Sequence, residues 1–172
     1  MAEIRVAVMG CGKPRTEAGA TGFGMAHAHM RGYRAAGNCR LVAVADTVRE
    51  NAEAFVARYD AAAAIYTEYE TMLAETTPDV VSICTWPHLH APMVLAAVRA
   101  GARAIHCEKP MAGTWGEARA MHAAAVENGV QLTFNHQRRF LAPFQTARRL
   151  LRDRALGDLL RLEGSCDNLM DW

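Results

Sequence analysis

The segment Ile4-Arg5-Val6-Ala7-Val8-Met9-Gly10-Cys11-Gly12 joins an apolar, β-branched run directly to two glycines. Such a run predicts a buried strand, and glycines that follow a first strand are typical of the turn in a dinucleotide-binding fold. In that turn the missing Cβ lets backbone N–H groups approach a pyrophosphate at a helix N-terminus. We therefore take Gly10 and Gly12 as candidate cofactor-binding residues, while an ordinary strand-to-loop turn is the alternative.

The glycine pattern is interrupted before it is complete. Residues 13–23 are longer than the dinucleotide fingerprint allows, and only then does Gly24-Met25-Ala26 resume the pattern, before a predicted helix. Gly24 and Met25 are therefore further cofactor-binding candidates. The effect of this insertion on phosphate binding is left open by the sequence.

Short β-branched runs alternate with helical periods along most of the chain, and this rhythm predicts an α/β fold. The expected architecture is a doubly wound parallel sheet of the Rossmann type over residues 1–138, with helices on both faces. Strands are predicted near residues 4–9, 41–45, 64–66, 80–85, 103–107 and 131–134. Apolar helical stripes are predicted at Ala52, Phe55, Val56 and Tyr59, at Ala91, Val94, Leu95 and Val98, and at Ala118, Met121, Ala125 and Val126.

A helix is expected over residues 140–154, with Phe140, Phe144 and Leu151 on one face that packs on the sheet or on the following strand, and a strand is expected over 159–164. A strand with no neighbour would invite association with another chain. The chain stops soon afterwards, so we expect a truncated species.

Composition excludes several classes of protein. The 172 residues are 51% hydrophobic and 22% charged, with a net charge of +1, which excludes a disordered chain and argues against a nucleic-acid partner. The arginines between 138 and 161 are interspersed with acids, so a solvated helix face is favoured over a phosphate patch. Five cysteines without a C-x-x-C pair, no signal peptide and no membrane-length apolar run predict a cytoplasmic protein that is not embedded in a membrane. No cysteine or histidine set has the ligand spacing of a zinc site, so no metal is expected.

Asp46 closes the second predicted strand, where dinucleotide folds place an acid that accepts hydrogen bonds from ribose hydroxyls. A 2′-phosphate at this position would face a like charge, so NAD is favoured over NADP. Arg49, three residues later, would partly compensate for that repulsion. The alternative for Asp46 is a helix cap without further meaning.

Polar residues follow the fourth and fifth predicted strands. Thr85, Trp86 and His90 come after the fourth, and Glu108-Lys109 after the fifth. Because open α/β sheets bind ligands at the carboxyl ends of their strands, these residues are site candidates. The alternatives are an exposed Glu-Lys loop pair and a partly buried histidine whose nitrogens are satisfied.

Taken together these motifs resemble the glucose-fructose oxidoreductase and inositol dehydrogenase family (Gfo/Idh/MocA). The resemblance rests on Glu108-Lys109-Pro110 after a strand, on Cys84-Thr85-x-x-His88-Leu89-His90 one βα unit earlier, and on Asp46. It implies that Lys109 is the catalytic lysine, beside the nicotinamide ribose and the substrate, and that Glu108 and His90 help to position that ribose. It also implies a role near the cofactor for the segment from Thr133 to Phe140, and hence for Asn135 and Arg139.

The chain departs from the family pattern at Trp86-Pro87, where the family often has Pro-Asn, so an indole replaces a side-chain amide. Asn168-Leu169-Met170-Asp171 resembles the start of the family's D-x-x-x-H motif, which would make Asp171 catalytic; the alternative is a charged residue at a frayed end. The resemblance implies an NAD(P)-dependent oxidoreductase that moves a hydride between a sugar, cyclitol or similar polyol and nicotinamide, in a homo-oligomer. It further implies that residues 139–172 are only the beginning of a second, α+β domain, and that a truncated species binds NAD weakly and turns over no polyol by itself. The alternatives are an NAD-dependent glycosidase of the same family and a dinucleotide-binding module without turnover.

Overall fold

The computed structural model describes residues 2–164 and divides into two compact units, residues 1–135 and 136–172. The first unit is built on six parallel strands in the spatial order β3-β2-β1-β4-β5-β6. This is the Rossmann strand order, which confirms the predicted fold. The strands are β1 (Ile4–Met9), β2 (Cys39–Ala45), β3 (Ala64–Tyr66), β4 (Val80–Ile83), β5 (Ala104–Cys107) and β6 (Gln131–Phe134).

Five helices connect these strands and cover both faces of the sheet. They are α1 (Met25–Ala36), α2 (Arg49–Tyr59), α3 (Tyr69–Thr76), α4 (Pro87–Arg99) and α5 (Trp115–Glu127). One apolar core contains Met30 of α1 and Phe55 of α2, and the other contains Met72, Val94 and Met121 of α3, α4 and α5. The sheet is thus doubly wound, as the helical stripes predicted. Val126 is the exception, since it is 65% exposed.

Strand β1 lies at the centre of this unit, and its apolar run explains why. It pairs with β2 on one side and β4 on the other, and the residues from Val6 to Met9 are fully buried. A strand that is covered on both faces needs an uninterrupted apolar sequence rather than an alternating one. The chain order reverses between β1 and β4, so the edge where these two strands end is the topological switch point of the sheet.

The second unit differs from its prediction in one element. It contains a 3-10 turn (Gln137–Phe140) and helix α6 (Ala142–Arg152), in agreement with the predicted helix. The predicted strand over 159–164 is wrong, because these residues form neither strand nor helix. A strand requires a hydrogen-bonding neighbour, and the apolar sequence alone does not provide one. Phe140, Phe144 and Leu151 are all exposed, so the predicted packing of this helix face is wrong; the strand expected to cover it does not form.

No helix among residues 2–164 is long and apolar enough to cross a membrane.

Candidate functional site

The carboxyl edge of the sheet gathers most of the predicted site residues. The glycine loop follows β1, Asp46 follows β2, Thr85 and Trp86 follow β4, and Glu108 and Lys109 follow β5. All strands are parallel, so these loops meet at one edge around the switch point between β1 and β4.

The two glycines after β1 serve different purposes. Gly10 has a φ of 81°, and a Cβ there would lie 2.7 Å from Cγ2 of Thr85 and 2.9 Å from the carbonyl oxygen of Cys84. Gly10 is therefore required because the loop after β4 approaches its backbone. Gly12 has a φ of 54°, but a Cβ there would meet nothing within 4 Å. The space in front of Gly12 is open, as a site for a ligand at the end of β1 requires.

Asp46 is bonded to the glycine loop and to the start of α2. Its Oδ2 accepts the backbone N–H of Gly12 at 3.0 Å, and its Oδ1 accepts that of Val48 at 2.9 Å. A carboxylate has about four lone-pair sites, so two remain for other donors. Asp46 is therefore not the cap of α2, which is Val48; its carboxylate holds the turn before the helix and keeps lone pairs that face no other donor within this turn.

The insertion between Gly12 and Gly24 packs against the start of α1. Gly24 has a φ of 59°, and a Cβ there would lie 2.5 Å from the carbonyl oxygen of Lys13. Nε2 of His27, in the first turn of α1, lies 3.3 Å from the carbonyl oxygen of Gly12, and its Nδ1 lies 3.0 Å from the hydroxyl of Tyr59. Burial lowers the pKa of His27. His27 thus links the glycine loop to α2, a role that sequence reasoning missed.

His90 ties together the loops after β4 and β5. It is fully buried, with Nδ1 2.7 Å from the carbonyl oxygen of Pro110 and Nε2 3.1 Å from that of Thr85. Both ring nitrogens are therefore engaged by backbone. His90 influences the site by fixing these two loops relative to each other.

Glu108 lies at the centre of a buried polar network. It is 5% exposed; its Oε1 accepts from Nε2 of His29 at 2.9 Å and from the side-chain amide of Asn135 at 2.6 Å. Its Oε2 accepts the backbone N–H of Lys109 at 3.2 Å. Burial by itself would raise the pKa of Glu108, but the hydrogen bonds from His29 and Asn135 outweigh it and hold that pKa below its usual value. Glu108 is therefore an ionised anchor directly behind Lys109.

His29 completes this network beneath the site. Its Nδ1 lies 2.6 Å from the hydroxyl of Ser82 on β4, which is itself fully buried. The sequence carried a signal for this position, because His29 follows Ala26 by three residues and precedes Tyr33 by four, which places it on the buried stripe of α1. His27 and His29, two residues apart on α1, bond to different partners.

A neighbouring histidine makes stability depend on pH. Nδ1 of His106 lies 2.9 Å from the hydroxyl of Thr133, and burial, reinforced by nearby His29, lowers the pKa of His106 to about 4. Between that value and the unfolded value of about 6.5 the unfolded chain binds more protons than the folded chain. The stabilisation is therefore complete above about pH 6.5 and is lost as the pH falls towards 4.

We expect the free energy of unfolding to fall by roughly 2 kcal/mol between pH 7 and pH 4 through His106, after allowance for its partial exposure. Urea unfolding at a series of pH values measures this. In the variant His106→Gln the free energy of unfolding should no longer fall through this histidine between pH 6.5 and pH 4. The variant His122→Gln, which alters an exposed histidine of α5, should keep the pH dependence of the natural protein. An unchanged slope in His106→Gln would contradict the assignment.

Lys109 emerges from this network at the edge of the sheet. Its backbone is held by Glu108, while the side chain is exposed, with Nζ 5.5 Å from the centre of the Phe23 ring. Trp86, 58% exposed, precedes α4 after the end of β4. The structure thus brings together eleven of the predicted site residues in the first unit: Gly10, Gly12, Gly24, Met25, Asp46, Thr85, Trp86, His90, Glu108, Lys109 and Asn135. Arg139 lies in the 3-10 turn of the second unit, and Asp171 lies outside the described residues.

Comparisons with known proteins find dehydrogenases among the similar sequences and the similar solved structures. The chain is 30% identical over 156 residues to the D-glucoside 3-dehydrogenase of Escherichia coli, which covers 91% of this chain and 41% of that protein. It is 32% identical over 113 residues to an inositol 2-dehydrogenase of Pseudomonas savastanoi, covering 66% of this chain and 32% of the relative. The WlbA dehydrogenase of Bordetella pertussis, solved with NADH and UDP-GlcNAcA, superimposes with a TM-score of 0.76 at 26% identity, covering 88% of this chain and 42% of that one.

The chain spans less than half the length of each of these three proteins. The family model described as "Oxidoreductase family, NAD-binding Rossmann fold" matches residues 4–136, which include the whole sheet and every site residue of the first unit. The chain therefore belongs to the Gfo/Idh/MocA family of oxidoreductases.

Proposed function

We propose that this chain is the cofactor-binding part of an NAD(P)-dependent oxidoreductase that moves a hydride between a carbon-bound hydroxyl of a sugar, cyclitol or similar polyol and nicotinamide. The observation that carries the proposal is Lys109, which leaves β5 at the switch-point edge with an ionised, buried Glu108 behind it. The dehydrogenases of glucoside and inositol among the relatives support this substrate class, and they support a dehydrogenase over a glycosidase.

The edge of the sheet fits a dinucleotide. The open space in front of Gly12 leaves room beside the end of β1, and Asp46 keeps two lone pairs for ribose hydroxyls. When bound, the nicotinamide would accept or return the hydride. The insertion of residues 13–23 makes the phosphate-binding region differ from an ordinary glycine loop. The backbone of Lys13 lies against Gly24 at the start of α1, where phosphate groups bind in this fold.

The residues of the chain would position the reactants and move a proton. Lys109 would assist loss of the hydroxyl proton as the carbon is oxidised, and would return a proton to the oxygen in the reverse direction. Glu108 and His90 would act by holding the loops after β4 and β5 rather than by contact through a free side-chain atom, since their polar atoms are engaged inside the unit. Asp171 and Arg139 remain predictions, as do a cytoplasmic location and a homo-oligomer.

Removal of the charge of Asp46 is expected to shift cofactor preference from NAD towards NADP. Repulsion between the carboxylate and a 2′-phosphate is worth on the order of 1 to 3 kcal/mol, so the ratio of the two dissociation constants should change by about 5-fold to 150-fold in Asp46→Asn. Titration of both cofactors measures the ratio. Tighter binding of NADP by the natural protein, or an unchanged ratio in the variant, would remove the assignment.

The proposed reaction is tested by incubating the complete gene product with NAD and a panel of sugars, glycosides and inositols while NADH absorbance is followed. We expect NADH to accumulate with at least one polyol. Cleavage of a glycoside without accumulation of NADH, by protein that retains its own NAD, would instead establish the glycosidase. If neither reaction occurs although NAD is bound, the protein is a dinucleotide-binding module without turnover.

A further inference from the structure

Phe23, the last residue of the insertion, lies against the amine of Lys109. The ammonium nitrogen is 5.5 Å from the centre of the Phe23 ring, and the guanidinium carbon of Arg15 is 5.3 Å from the same centre. A cation within about 6 Å of a ring centroid and over its face is attracted by the ring quadrupole. The Phe23 ring therefore stabilises the charged amine at one place on the edge of the sheet.

The insertion is folded in a way that fixes this ring. Glu17 forms an ion pair of 2.8 Å with Arg58 in the last turn of α2, and the N–H of Glu17 donates to the carbonyl of Pro14. At the other end the backbone of Lys13 and Pro14 lies against Gly24 so closely that a Cβ would not fit. The loop thus returns to its own beginning immediately after Phe23, and contacts at both ends set the path of the backbone that carries the ring.

Phosphate binding by a glycine-rich loop does not require the contact between the Phe23 ring and the amine of Lys109. A phosphate loop acts through backbone N–H groups, whereas Phe23 is an apolar side chain that remains 56% exposed. What singles out Phe23 among the exposed large apolar side chains is its ring contact with the amine of Lys109. The Lys109 side chain is long and flexible, and a fixed aromatic face restricts where its amine lies.

We propose that Phe23 is a positioning residue for Lys109, and that the insertion of residues 13–23 exists at least in part to hold its ring there. The inference rests on the proposed function, because the place of the amine matters only if Lys109 moves the proton. Precise placement of a reacting group is a large part of catalysis, and a small displacement is costly.

The contact itself is tested without any reaction. Lys13 and Lys109 are the only lysines in the sequence, so reductive methylation with isotope-labelled formaldehyde in a Lys13→Arg background labels Lys109 and the terminal amine alone. The ring current of Phe23 should shift the Lys109 methyl signal upfield in the NMR spectrum. Phe23→Leu should abolish the shift, Phe23→Trp should keep it, and Trp115→Leu, which removes another exposed ring, should leave it unchanged.

The role is tested by kinetics of the complete gene product. Phe23→Leu should lower kcat by about two- to fivefold, the rate equivalent of one exposed cation–π contact, with little change in KM, and Phe23→Trp should restore it. Lys109→Met is measured alongside. If Lys109→Met retains full turnover, the proposed function fails; if Lys109→Met is inactive while Phe23→Leu keeps its kcat, or if the methyl signal shows no ring-current shift, only the positioning role is overturned.

Discussion

Replacement of Lys109 by methionine is expected to lower the rate of polyol oxidation by about 10² to 10⁴, the usual contribution of a positioned acid-base group. Methionine preserves much of the length and apolar character of the side chain but has no proton to exchange. The backbone N–H of residue 109 would still donate to Glu108, so the buried network should survive. The loss should therefore appear in kcat, with NAD affinity and the unfolding midpoint close to those of the natural protein.

The measurement is NADH formation by the complete gene product, together with NAD titration and urea unfolding of the same samples. Lys13→Met is the matched control, because Lys13 is the other lysine and its amine lies 3.4 Å from the carbonyl oxygen of Ala18 within the insertion. We expect that control to retain turnover within a few-fold. Equal losses in both variants would show that any lysine near the glycine loop matters, and would argue against a specific role for Lys109.

The fold was predictable because its signals are local. The apolar run from Val6 to Met9 is typical of a strand buried on both faces, and the two glycines after it indicate the turn that follows. A helix lies between each strand and the next, and right-handed crossovers between parallel strands leave few topologies. The strand predicted at 159–164 failed because strand formation depends on a neighbouring chain segment, which a local pattern does not report.

The sequence predicted which residues lie at the edge of the sheet, but it did not predict the buried hydrogen bonds behind them. Asp46, Glu108 and Lys109 are each marked by the end of a strand, so their place at the edge follows from topology. The bond between His29 and Glu108 joins residues 79 positions apart, on α1 and after β5, and no spacing rule connects them. The contact between Phe23 and Lys109 was equally invisible, because an insertion has no periodic pattern from which its path can be predicted.

Loss of Glu108 is expected to be the most damaging single change to stability at this site. Glu108→Ala would leave Nε2 of His29 and the amide of Asn135 without their common acceptor, in a place where water does not replace it. Each buried donor left without an acceptor typically costs about 1 to 3 kcal/mol, so the loss of an acceptor shared by two donors should cost about 2 to 6 kcal/mol. An exposed ion pair, Arg49 and Glu53 in α2, should lose less than about 1 kcal/mol in Glu53→Ala, which makes it the control for the loss of a glutamate.

Urea unfolding of both variants, and of His29→Leu and the double variant His29→Leu/Glu108→Ala, measures the coupling. If the cost of Glu108→Ala arises from stranded polar partners, removing His29 as well should return part of the lost stability, because one of those partners is gone. Additive losses in the double variant, or a cost for Glu108→Ala no larger than for Glu53→Ala, would contradict a coupled buried pair. The carboxylate behind Lys109 would then be a solvated side chain, and the loop after β5 would owe its position to His90 and the strand alone.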